Sequence, residues 1–90
     1  METYGLISGI RYPFVADLDY QAIGRRIAAR RTLLDMTQQQ LADRARISQR
    51  TIALLERGRR TGLRVATLTE IARALDVTRE YLLTGEEEGN

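Results

Sequence analysis

Two hydroxyl residues, Thr37 and Ser48, stand eleven positions apart, and each opens a short amphipathic run. In Thr37-Gln38-Gln39-Gln40 the spacing is that of a capping box, with Thr37 as N-cap and Gln40 reaching back from the third helical position. The helix it opens spans about Gln38–Ala45 and turns Leu41, Ala42 and Ala45 inward. Arg46 and Ile47 form a short turn. Ser48 then caps a helix from Gln49 to Arg57, with Ile52 and Leu55 inward and Gly58 as its left-handed terminator.

The flanking sequence reads the same way. A first helix runs from Asp19 or Tyr20 to Leu34, with Ile23, Ile27 and Leu34 on one stripe. A fourth ends near Leu75 and buries Leu68, Ile71, Ala72 and Leu75; Thr67 and Glu70 offer it a capping box, although it can also start a turn earlier, near Val65. A last short helix follows Thr78, with Leu82 and Leu83 closing the core and Thr84-Gly85 ending it. Residues 19–85 thus form an all-helical domain, and 86–90 an acidic tail. The stretch 1–18 differs in kind. Eleven of the first twenty residues are apolar, while Gly5, Gly9 and Pro13 oppose a helix. It reads as an extended arm that packs on its own domain or on a second subunit.

Residue types absent from the chain remove most chemistry. With 90 residues and no cysteine, neither a disulfide nor a thiolate metal site can reinforce a marginal core. With no histidine, the Ser-His-Asp and Cys-His systems and nearly all zinc sites are excluded. No cofactor and no enzymatic activity are expected. No apolar run approaches the roughly 18 residues that span a bilayer, and Met-Glu-Thr-Tyr lacks the start of a signal peptide. A cytoplasmic binding domain with no membrane role is the expectation.

Charge says what it binds. All fourteen cations are arginine, and residues 21–64 hold eleven of them against Asp35, Asp43 and Glu56, a local net charge of +8. The flanks are acidic, −2 over residues 1–20 and −4 over 65–90. Such segregation is the electrostatic footprint of a polyanion binder. Two charges stand apart from it. Arg31 falls on the apolar stripe of the first helix and Glu56 on the margin of the third helix's buried face, so the pair is expected to join the two helices.

The run from Arg31 through Thr37-Gln38, Leu41-Ala42, Ala45, Ile47-Ser48-Gln49-Arg50, Ile52, Leu55-Glu56 and Gly58, continued by Leu68, Ile71, Leu75 and Leu82-Leu83, resembles the Cro and phage-repressor (XRE) family of DNA-binding domains over about 65 residues. The resemblance implies a five-helix, lambda-repressor-like helix-turn-helix domain that binds duplex DNA, usually as a homodimer on a near-palindromic operator. The helix after Ser48 is then the one that enters the major groove. Gln49, Arg50, Thr51 and Leu54 are the expected base-contacting residues, since Gln suits adenine and Arg guanine. Thr37, Gln38, Ser48, Arg57, Arg59, Arg60 and Arg64 are expected at phosphates, with Arg46 and Arg25 or Arg26 as weaker candidates. The family's structural ion pair matches Arg31 and Glu56. Asp35 and Arg46 stand where the family favours glycine, which implies left-handed backbone at both. A repressor is the leading expectation. An antitoxin or a restriction–modification controller, with the 1–18 arm engaging a protein partner, is the alternative. A protein-interaction module that has kept the fold but not DNA binding is a third.

Overall fold

A computed structural model describes residues 18–86. Over them the chain forms five helices: α1 Tyr20–Leu33, α2 Gln38–Ala45, α3 Gln49–Glu56, α4 Val65–Leu75 and α5 Arg79–Thr84. Four of them start on a side-chain cap. The Asp19 carboxylate accepts from Ala22 N–H at 3.0 Å, Thr37 Oγ1 from Gln40 at 3.0 Å, Ser48 Oγ from Thr51 at 3.0 Å and Thr78 Oγ1 from Tyr81 at 2.9 Å. The Thr37 box is complete, because Gln40 Oε1 accepts the Thr37 N–H at 2.9 Å.

α4 begins differently. It starts at Val65 without a side-chain cap, so the Thr67–Glu70 box does not form; Thr67 lies inside the first turn and Glu70 is bonded to Arg73 instead. Packing supplies the boundary. Leu63 and Leu68 occupy the two positions of a hydrophobic staple around Arg64, and both are buried in the core.

The first four helices end alike. Asp35, Arg46, Gly58 and Asp76 are all left-handed, with φ of 60°, 63°, 71° and 58°. At each, the next residue's N–H returns to a carbonyl five positions back: Met36 to Arg31, Ile47 to Ala42, Arg59 to Leu54 and Val77 to Ala72, at 2.9–3.0 Å. This is the Schellman closure. Met36 is buried, and Ile47 and Val77 pack against the core, so three of the four closures also bury an apolar residue. The left-handed backbone expected at Asp35 and Arg46 is present, and Asp76 adds a third non-glycine case.

One expected core position is vacated. Leu34 caps the end of α1 and is exposed, because the chain reverses at Asp35 and brings Met36 inward in its place. Leu63 is a further core residue that periodicity did not mark; Leu82 is fully buried and Leu83 partly so. Fifteen buried apolar residues include Ile23, Ile27, Leu41, Ile52, Leu55, Leu68, Ile71 and Leu75, and among the described residues no polar side chain is buried with them. Leu18 and Tyr20 pack against this core from the start of α1, and the Tyr20 hydroxyl accepts the N–H groups of Gly62 and Leu63.

α1 ties the layers together. Gly24 faces α3 so closely that a Cβ there would lie 1.9 Å from the Leu55 carbonyl oxygen. Arg26 donates to the carbonyls of Leu82 and Leu83 at the end of α5, and Arg30 to that of Leu75 at the end of α4. Both guanidinium groups thereby satisfy carbonyls that a helix end leaves without partners. The rest of the expected arm lies outside the described residues, as does the acidic tail beyond Glu86.

Candidate nucleic-acid interface

α2 and α3 present their N-terminal ends side by side. Gln38 is the first residue of α2 and Gln49 the first of α3, and their side chains meet: Gln49 Nε2 donates to Gln38 Oε1 at 2.9 Å. Gln38 Nε2 donates in turn to Glu56 Oε1 at 3.0 Å. Glu56 also holds Arg31, which gives Nε to Oε2 at 2.7 Å and Nη2 to Oε1 at 3.0 Å, while Arg31 Nη1 donates to the Met36 carbonyl at 2.7 Å. The side chains of Arg31 and Glu56 are only 18% and 8% exposed.

The expected ion pair is therefore a bidentate fork that spans α1 and α3 and carries the α2 glutamine on its free side. Its bond to Glu56 raises the Arg31 pKa above the usual guanidinium range, more than partial burial lowers it.

Along α3, Gln49 and Arg50 are exposed, Thr51, Ala53 and Leu54 are half-buried, and Arg57 is exposed at the end. The Thr51 hydroxyl is shared with that of Ser48 at 2.9 Å, and the Leu54 carbonyl receives the Arg59 N–H. Of the expected base readers, Gln49 and Arg50 are thus the most exposed. Of the expected phosphate residues, Thr37 and Ser48 lie exposed at the two helix starts, Gln38 lies between them, and Arg57, Arg59, Arg60 and Arg64 are exposed on and after α3. A helix start offers unpaired N–H groups and a positive dipole end to an anion.

The weaker candidates divide. Arg26 is committed to the end of α5, whereas Arg25 is exposed. On α4 the Glu70 pKa is lowered first by its bond to Arg73 and then by that guanidinium's charge, against a smaller rise from desolvation and with a further small lowering from Arg46. Arg46 itself is exposed at the left-handed end of α2. The link from Glu56 through Gln38 to Gln49 was not expected from the sequence; its members lie 18 and 11 residues apart, and only the fold brings them into reach.

Among the described residues no group of carboxylates is placed to hold a metal ion, and no helix is long and apolar enough to cross a membrane. A shallow cleft of about 370 Å³ between α1 and the α4–α5 turn, lined by Ala29, Leu33, Val77 and Tyr81 among others, lies away from these groups.

Comparison with known proteins agrees with this geometry. The family model described as helix-turn-helix matches residues 27–82, which contain α2, α3 and the whole Arg31–Glu56–Gln38–Gln49 chain. This chain is a helix-turn-helix protein of the phage-repressor type. Solved structures of similar fold include the P22 c2 repressor protein in complex with a synthetic operator, 33% identical, with a TM-score of 0.68 over 73% of this chain and 98% of that one. The restriction-modification controller protein C.AhdI from Aeromonas hydrophila is 26% identical, with a TM-score of 0.68 over 72% of this chain and 97% of that one. SinR, a master regulator for biofilm formation solved in complex with DNA, is 27% identical, with a TM-score of 0.64 over 67% and 95% of the two chains. No curated protein sequence matches. The helix-turn-helix proper is α2, the Arg46–Ile47 turn and α3.

Proposed function

We propose that this helix-turn-helix protein is a sequence-specific regulator of transcription that binds duplex DNA and performs no catalysis. The observation that carries the reading is the free leading end of α3. Gln49 and Arg50 are exposed on it, the start of α2 lies beside it, and Arg57, Arg59 and Arg60 stand exposed at and beyond its far end. A helix so presented fits the major groove, where each base pair shows a distinct pattern of donors and acceptors. The flanking arginines supply the sequence-independent grip on phosphates. One such domain covers little DNA, so a homodimer on two half-sites about one helical turn apart is the assembly that gives tight binding. Repression, by occupying a near-palindromic operator in the cytoplasm, is the simplest outcome of that geometry.

Selection of bound sequences from a random duplex pool, followed by binding at several salt concentrations, tests this. A recurring inverted repeat is expected, with affinity falling by a log–log slope of about −0.9 per phosphate neutralised. Binding that enriches no sequence and ignores salt would instead fit a protein-interaction module. The likeness to C.AhdI over nearly its whole length favours a second reading within the same class, a controller protein of a restriction–modification system. An antitoxin that regulates its own operon is the other form of this reading. A gene for a restriction enzyme or a toxin beside this one would decide between them and the simple repressor.

A further inference from the structure

We infer that Tyr20 is a positioning residue for the phosphate grip: its hydroxyl, at the first position of α1, holds the α3–α4 loop so that Arg59 and Arg60 meet DNA already ordered. The inference rests on the DNA-binding reading above. Arg59 and Arg60 are exposed on this loop. On a slack loop, such long side chains would have to be ordered on binding, at a cost in backbone and side-chain entropy. The first two residues of α1 brace both ends of it instead. At the near end the Arg59 N–H closes α3 on the Leu54 carbonyl, and Gln21 lies directly against Gly58, where a Cβ would stand 2.7 Å from Gln21 Cγ. At the far end the Tyr20 oxygen accepts the N–H of Gly62 at 3.1 Å and that of Leu63 at 3.3 Å, across 42 and 43 residues of sequence.

Gly62 supplies the geometry. Its φ of 68° is left-handed and a Cβ there would meet nothing within 4 Å, so the glycine answers a backbone turn and not a crowded contact. That turn brings two successive N–H groups to one phenolic oxygen. Leu63 then enters the core, 2% exposed. Only Arg60 and Thr61 lie between the closed end at Arg59 and the held end at Gly62. The Tyr20 ring is half-buried against the core, which makes its oxygen a fixed point for the loop. Phosphate contacts carry no sequence information, so Tyr20 acts on affinity and leaves the choice of base to α3.

Tyr20→Phe keeps the ring and removes the oxygen. Without DNA, the Gly62 N–H of the wild-type protein should be protected from hydrogen exchange. In Tyr20→Phe it should exchange about tenfold faster, with the α2 and α3 amides unchanged. An unprotected Gly62 in the wild-type protein would overturn the inference, whatever the variant does. With DNA, Tyr20→Phe should weaken binding about three- to tenfold, on the selected operator and on unrelated duplex alike. The log–log salt slope should hold, because the same arginines still reach phosphates, whereas Arg60→Ala should reduce it by about 0.9. Added to Arg59→Ala and Arg60→Ala together, Tyr20→Phe should cost no further affinity. An equal loss in that background would make Tyr20 a residue of the fold alone, and an altered base preference would place its effect on α3; either result sinks the inference. If the wild-type protein binds no duplex, the DNA-binding reading fails and the phosphate role with it, while the exchange result still shows whether Tyr20 holds the loop.

Discussion

Gly24 sits in mid-helix, where glycine weakens α1 relative to alanine, because the α3 backbone crosses there. A Cβ at this position would lie 1.9 Å from the Leu55 carbonyl oxygen, and backbone cannot step aside as a flexible side chain can. Gly24→Ala should therefore destabilise the fold by about 3 kcal/mol or more, at the upper end of overpacking costs. Chemical denaturation would measure it, and a neutral result would mean that α1 and α3 do not make this close approach. Arg46 predicts the opposite sign. A β-carbon in left-handed backbone costs about 1–2 kcal/mol, while glycine's extra freedom in the unfolded chain returns roughly half of that. Arg46→Gly, at φ 63°, should raise stability by about 0.5–1 kcal/mol. The gain at Asp35 should be smaller, since aspartate tolerates this region better.

At the level of elements, the α3–α4 connection tests packing against capping. Leu63→Ala removes one half of the staple and leaves a void at a site only 2% exposed, so it should cost about 2–5 kcal/mol in thermal or denaturant unfolding. Thr67→Ala should change stability by no more than a few tenths of a kcal/mol, because Thr67 makes no cap. Comparable losses from the two would restore the capping box as the start of α4. The contrast marks how far the sequence could be read. α2 and α3 were legible to within a residue because Thr37, Ser48 and Gly58 are local signals whose partners lie three or four positions away. Leu34, Met36 and Leu63 were misplaced or missed for the complementary reason. Each is decided where a helix has ended and the helical period no longer applies. At the interface, single residues such as Gln38, Gln49 and the Arg31–Glu56 pair could be named from type and spacing. The hydrogen bonds that join them into one chain could not, since they run between three helices.

On the scale of the whole molecule, what the domain does with its charge depends on assembly. In the proposed DNA-binding reading, one domain offers a single recognition helix, α3, and the exposed arginines of α3 and the loop after it supply its affinity for any duplex. Selectivity over a genome then needs two helices held at a fixed separation, which is what a dimer provides. The apolar stretch ahead of α1 is proposed as one means of holding them. α1 through α5, their side-chain caps and the hydrogen bonds from Arg31 through Glu56 and Gln38 to Gln49 all fall within residues 19–86, so removing residues 1–17 and keeping the core-packed Leu18 should leave helix content nearly intact. If the arm joins two subunits, sedimentation should show a shift toward monomer at the same protein concentration. Operator binding should then weaken and become steeply dependent on concentration, while each half-site keeps its base preferences, because Gln49 and Arg50 are unaltered. An unchanged sedimentation profile with unchanged binding would remove the arm from assembly and leave dimerisation to the helical domain alone. Loss of helix content would show instead that the arm completes the fold of its own chain.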